Sequence, residues 1–198
     1  TPMAIRSMTA TSKRISRFPE PMLVLVTGGA ASGKSELAER IICELAKGKP
    51  MLYVAAMETE GEEAQKRIAR HRALRAGKGF TTLEHAKRFD TMTVPNGYTA
   101  ALFECISNAL ANEMFSPDGA GENWKHSIVS GIRALQASCE HVVVVSNDIF
   151  TDGVTYDEWT MRYLHALGCL NQYFAEQADW VIESVCGIPI VHKKREDT

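Results

Sequence analysis

Met22-Leu23-Val24-Leu25-Val26-Thr27 runs directly into Gly28-Gly29-Ala30-Ala31-Ser32-Gly33-Lys34-Ser35, and this junction decides the fold. The first six residues are uncharged and rich in Leu and Val, the pattern of a short buried strand. The next eight match G-x-x-x-x-G-K-[ST]. From Ser35 to Leu45, Leu37, Ala38, Ile41, Ile42 and Leu45 recur at helical spacing, and Gly48 and Pro50 end the run. A chance Gly-rich turn would not bring a strand before it and a helix after it. The glycines let successive backbone N–H groups turn inward around phosphate oxygens, and the helix N-terminus near Gly33 adds partial positive charge. Lys34 can bridge the β- and γ-phosphates, and Ser35 offers a hydroxyl to Mg2+. The stretch implies a nucleoside triphosphate site.

Outward from it, strands and helices alternate. Met51–Ala56 is a second apolar run, followed by a polar helix over Glu60–Arg75. Residues 77–98 read weakly, as one helix and a weak strand closed by Pro95-Asn96-Gly97. Ala101–Ile106 is a third strand, with a helix after it to about Phe115 and a turn over Ser116–Gly119. Trp124–Cys139 has helical periodicity, and His141–Ser146 (HVVVVS) is the clearest buried strand. A long amphipathic helix spans Tyr156–Gln177, and Trp180–Val185 and Ile188–Val191 close the sheet. Continuous apolar strands alternating with helices predict an α/β fold, a mostly parallel sheet with helices on both faces.

The 198 residues fit one domain at ~150 residues each. That domain is expected over residues 21–193, after a basic, Ser/Thr-containing leader (1–20) and before a solvated tail (194–198). Lys and Arg number 22 against 24 Asp and Glu, a net charge of −2. This leaves no general field for nucleic acid or an anionic membrane, so any polyanion site must be local. No apolar run approaches the ~18 residues of a membrane span. The five cysteines (Cys43, Cys105, Cys139, Cys169, Cys186) form no CxxC pair and read as reduced, mostly buried thiols of a cytoplasmic protein.

Two further features carry chemistry. Mg2+ needs a carboxylate, usually at the end of a neighbouring strand. Glu104 interrupts the apolar run Leu102-Phe103-Glu104-Cys105, where burial without a partner is costly. It either faces the phosphate site or lies at a wet sheet edge, and Asp148, just past HVVVVS, is a second candidate. On the polar helix, Glu63, Arg67, His71 and Arg75 share one face at i, i+4 spacing. Such a helix is either a solvated surface or a device for handling charge. In the second case Arg67, Arg72 and Arg75 would contact phosphate and keep His71 neutral and nucleophilic.

The segments VTGGAASGKSELAE, YVAAMETEGEEAQKRIARHRALR, LFECISNALANEMF, VVVVSNDI and GIPIVHK together resemble the bifunctional adenosylcobinamide kinase/adenosylcobinamide-phosphate guanylyltransferase family of cobalamin biosynthesis. The likeness runs from about Leu23 to Lys193. The phosphate loop alone is widespread, and the combination with R-I-x-x-H-R-x-x-R and L-x-E-C-I is far more specific.

The resemblance implies a P-loop NTPase-like fold and two reactions. ATP or GTP phosphorylates adenosylcobinamide, and GMP then passes from GTP to adenosylcobinamide-phosphate through a histidine-bound GMP. It makes His71 the residue that takes GMP and Lys34 its catalytic companion, with Gly28, Gly29, Ala30, Ala31, Ser32, Gly33, Lys34 and Ser35 holding phosphates. It adds Ala56, Met57, Glu58, Arg72, Ala73, Leu74, Arg75, Glu84 and Glu104 as nucleotide contacts, while Ser35 and Glu104 stay the expected metal ligands on the reading of the residues above. It also implies assembly as a homotrimer. The chain departs from the family pattern at Ile149–Thr155, His165-Ala166, Gly61 and Ala76, in segments the resemblance associates with the corrinoid and the transferred phosphate. Read from the residues alone, a P-loop kinase for another small alcohol and a nucleotide-binding regulatory relative stay open.

Overall fold

The computed structural model describes residues 21–58, 69, 77–149, 153–154 and 156–195. The leader over 1–20 therefore lies outside the described residues, and of the helix expected over Glu60–Arg75 only Ala69, in helical conformation, is described; His71 and Arg72–Arg75 lie outside. The described strands are β1 (Met22–Thr27), β2 (Met51–Ala55), β3 (Phe80–Glu84), β4 (Ala100–Glu104), β5 (His141–Val145), β6 (Trp180–Val185) and β7 (Ile188–Lys194). The described α-helices are α1 (Lys34–Ala46), α2 (Ile106–Phe115), α3 (Trp124–Ser138) and α4 (Glu158–Gln177).

These strands form one sheet in the order β3-β2-β4-β5-β1-β6-β7. Every pairing is parallel except β6 with β7. The central strands are buried on both faces, which is why they read as unbroken apolar runs. Successive side chains alternate between two cores. Met22, Val24 and Val26 of β1, with Leu102 of β4 and Val143 and Val145 of β5, pack against Leu37, Ile41, Ile42 and Leu45 of α1. Leu23, Leu25, Phe103, Val142 and Val144 face the other way, against Ile106 and Leu110 of α2, Ile132 and Leu135 of α3, and Leu167 and Leu170 of α4. Each fully buried aliphatic side chain contributes roughly 1.5–3 kcal/mol relative to exposure. The helices thus cover both faces, as the alternation of elements predicts.

Residues 77–98 differ from the expectation. The described chain holds a strand, β3, and one 3-10 turn at Phe89–Thr91, with no α-helix. Glu113 of α2 takes the Phe89 amide (3.1 Å), and Pro95 and Gly97 interrupt the chain beyond the turn. The last strand is longer than Ile188–Val191, running on through Lys194, where the solvated tail was expected to begin. Lys193 is drawn in because its Nζ donates to the C-terminal carbonyls of α4, Ala175 (3.1 Å) and Glu176 (2.9 Å). All five cysteines are free, with Cys105 and Cys139 buried and Cys186 exposed in the β6–β7 turn.

Candidate active site

The C-terminal ends of the parallel strands carry the site, as open α/β sheets do. β1 ends at Thr27, the loop Gly28–Ser35 follows, and α1 opens at Lys34 with Gly33 as its left-handed N-cap (φ 86°). Glycine is required at two positions in particular. A Cβ on Gly28 would stand 2.5 Å from Ser32 Oγ and 2.7 Å from the Ser184 carbonyl oxygen. One on Gly33 would add strain at a positive φ and meet Gly187 Cα at 3.3 Å.

α1 crosses the sheet face over β5 and β4, and this brings two distant residues together. The Ser35 hydroxyl donates to Glu104 Oε1, and the Tyr53 hydroxyl donates to Glu104 Oε2 at 3.1 Å. Glu104 continues the alternation of Ala100 and Leu102, so it faces α1 at the rim of the phosphate loop. β4 lies between β2 and β5, so Glu104 is not at a sheet edge. Lys34 Nζ donates to the Gly29 carbonyl at 2.9 Å. Burial holds this ammonium below the ordinary lysine value, with Cys105 and Glu104 offsetting part of the effect.

Strand register adds Glu84. Val145, Glu104, Ala55 and Glu84 lie in one row across β5, β4, β2 and β3. In parallel strands such a row points to one face, so Glu84 and Glu104 flank Ala55 on the α1 side, two strand spacings or roughly 10 Å apart. Ala56 is buried, its amide bonded to the Glu104 carbonyl (3.0 Å) and its carbonyl to Asn112 Nδ2 (2.9 Å). Met57 is half-buried beside it. Glu58 is engaged on the α2 side, where Ser116 (2.7 Å) and Lys87 (3.2 Å) hold its carboxylate below its usual range.

Asp148 also borders the loop, its amide donating to the Gly28 carbonyl at 3.0 Å. The β5 end is fixed from α4: Ser146 Oγ donates to Asn171 Oδ1 (2.5 Å), and Asn171 Nδ2 to the Asn147 carbonyl (3.2 Å). Ser184 also borders the loop without a local sequence signal, since its bond to the Ser32 carbonyl comes through a pairing that only the fold reveals. Among the described residues no group of three or more His, Cys, Asp or Glu side chains could hold a metal ion. A cation at Ser35 and Glu104 would need oxygens from a bound nucleotide, the usual arrangement for Mg2+. No helix among the described residues is long and apolar enough to cross a membrane.

With this geometry in place, the sequence profile of the cobinamide kinase / cobinamide phosphate guanyltransferase family matches residues 24–192. The chain belongs to that family. It is similar to the bifunctional adenosylcobalamin biosynthesis protein CobU of Salmonella typhimurium, with 30% identity over 184 residues, covering 85% of this chain and 99% of the relative. The bifunctional adenosylcobalamin biosynthesis protein CobP of Pseudomonas aeruginosa is 29% identical over 167 residues, covering 84% and 94%. Among solved structures, a KaiC-like protein of Pyrococcus horikoshii superposes with a TM-score of 0.53 at 15% identity, covering 90% of this chain and 82% of the other. The flagellar accessory protein FlaH of Methanocaldococcus jannaschii gives 0.51 at 12%, covering 89% and 80%. At such identities these two likenesses speak to the P-loop NTPase-like fold alone.

Proposed function

We propose that this chain carries both activities for which its family is named: phosphorylation of adenosylcobinamide by ATP or GTP, and transfer of GMP from GTP to adenosylcobinamide-phosphate. The observation that carries this reading is the meeting of Lys34, Ser35 and Glu104 at one strand end, in a chain belonging to the family over residues 24–192.

Residues 21–193 act as one nucleotide-binding domain. Gly28–Ser35 cradles the phosphates with backbone N–H groups, and Lys34 neutralises the developing charge. Ser35 and Glu104 fit Mg2+, since a hydroxyl and a carboxylate, both oxygen donors, already converge beside the loop. When bound there, that ion would supply charge neutralisation for the triphosphate. Ala56, Met57, Glu58 and Glu84 at the ends of β2 and β3, with Arg72, Ala73, Leu74 and Arg75, complete the nucleotide contacts in this reading.

In the kinase half, the adenosylcobinamide hydroxyl attacks the γ-phosphorus and the nucleoside diphosphate leaves. In the guanylyl half, the neutral imidazole of His71 attacks the α-phosphorus of GTP. A P–N bond forms, the α–β bridge breaks and pyrophosphate departs. A phosphate oxygen of adenosylcobinamide-phosphate then displaces the imidazole, forming a P–O bond and returning His71 to its neutral state. Splitting the transfer in this way replaces one difficult step by two easier ones. The reading includes a cytoplasmic setting and trimeric assembly, the latter measurable by sedimentation equilibrium.

The test is GTP labelled at the α-phosphate. Wild type is expected to acquire acid-labile, base-stable label that adenosylcobinamide-phosphate discharges, and His71→Ala to acquire none. Label that survives in His71→Ala overturns the histidine role. Transfer of the γ-phosphate with no covalent GMP would leave a simple kinase.

A further inference from the structure

The phosphate loop is held from its outer side by the β6–β7 hairpin. β6 runs beside β1 with Thr27 level with Glu183, which brings Ser184 to the height of Gly28. Ser184 is 1% exposed, and its hydroxyl donates to the Ser32 carbonyl at 2.7 Å. The Gly187 amide, in the hairpin turn, donates to the same oxygen at 2.8 Å. Both glycines of the motif close on this brace. The Ser184 carbonyl oxygen lies 2.7 Å from the Gly28 Cβ position, and Ser184 Oγ lies 3.6 Å from that of Gly33.

Peptide geometry carries the effect of this brace into the loop. In a planar trans peptide the C=O and N–H point in opposite directions. Fixing the Ser32 carbonyl toward the hairpin therefore turns the Gly33 N–H away from it, toward the side where the loop takes phosphate. Gly33 has no Cβ to resist rotation of this peptide plane, so the orientation depends on what holds the carbonyl. We propose that Ser184 is a positioning residue for nucleotide binding, which acts by locking the Ser32–Gly33 peptide with its N–H aimed at the phosphates. The proposal rests on the reading of Gly28–Ser35 as the nucleotide-phosphate site. The residue is distant in sequence from the motif and belongs to a different supersecondary unit.

The test is titration of wild type, Ser184→Ala and Ser184→Thr with a fluorescent GTP analogue in Mg2+, with inorganic triphosphate as competitor. Ser184→Ala is expected to raise the Kd about tenfold, equivalent to about 1.4 kcal/mol. The inhibition constant of inorganic triphosphate should rise by the same factor, because that probe binds through the cradle alone. Ser184→Thr, which keeps the hydroxyl, should restore both constants to within about twofold of wild type. A merely structural role would lower the melting temperature or the number of sites titrated and leave the Kd of the folded fraction unchanged. An unchanged Kd in Ser184→Ala overturns the positioning role and leaves the phosphate-loop reading standing, as does an equal loss in Ser184→Thr. Wild type that binds neither probe overturns both readings together.

Discussion

The Ser35 hydroxyl rests on the Glu104 carboxylate, although 69 residues separate them in sequence. β5 lies between β4, which ends in Glu104, and β1, which leads into the loop before Ser35, so the contact depends on α1 lying across the sheet face. Glu104→Gln keeps the shape and a hydrogen-bonding group toward Ser35 and Tyr53 but loses the charge a cation would need. Guanylylation and γ-phosphate transfer should both fall by roughly 10²–10³-fold, the loss typical of one removed electrostatic group. The Mg2+ concentration for half-maximal rate should rise in the same variant. A variant with unaltered Mg2+ dependence would assign Glu104 to packing.

On the proposed reading, Lys34 should make nucleotide affinity sensitive to pH. Burial sets its pKa below the ordinary 10.5, so the free protein loses the ammonium earlier on the alkaline side than a surface lysine does. In that reading triphosphate binds the charged form, so affinity should decline as pH rises, and the decline should begin at lower pH than an ordinary lysine would give. MgATP is the suitable probe because its base does not titrate there. Lys34→Arg keeps its charge throughout and should show a flat profile, even if its affinity is lower. An equally steep decline in Lys34→Arg would place the titration elsewhere.

Stability has a separate anchor, remote from the phosphate loop. Glu113 is fully buried and accepts from the Phe89 amide (3.1 Å), the Ala120 amide (2.8 Å) and the Ser127 hydroxyl (2.5 Å). Glu113→Ala strands the buried Phe89 N–H and the half-buried Ala120 N–H and should cost roughly 2–4 kcal/mol in urea denaturation. At this chain length that corresponds to about 2–4 °C of melting temperature per kcal/mol. Glu113→Gln keeps one acceptor oxygen and should lose less. The Kd for GTP of the folded fraction should not move in either variant.

What could be read ahead of the structure was what local pattern dictates. The phosphate loop announced itself because a strand, a glycine-rich turn and a helix each leave their own periodicity. Glu104 stood out because a carboxylate inside an apolar strand demands a partner, and the fold supplies Ser35 and Tyr53. β3 was obscure because it is an edge strand with Thr81 and Thr82 exposed, so its alternation is weak. The helix expected between residues 77 and 98 failed for a tertiary reason, since Glu113 captures the Phe89 backbone from another element. Ser184 gave no signal at all. Its contact exists only through the register of β6 against β1, which no short window of sequence contains.

Glu84 offers the sharpest separation between a nucleotide contact and an ordinary edge-strand charge. It is exposed at the end of β3, in the same row as Ala55 and Glu104 and on the α1 side of the sheet. A side chain so placed can reach a nucleotide lying over the small Ala55 without supporting the core. Glu84→Ala should therefore leave the urea midpoint unchanged, since exposed substitutions usually stay within about 0.5 kcal/mol. The KM for GTP should rise roughly five- to tenfold with kcat for guanylyl transfer little altered, the signature of lost uniform binding. Mg2+ dependence should stay as in wild type, in contrast to Glu104→Gln. An unchanged KM would make Glu84 a solvated edge charge that discourages strand-to-strand association, and the nucleotide would then have to be held from the Glu104 side of Ala55 alone.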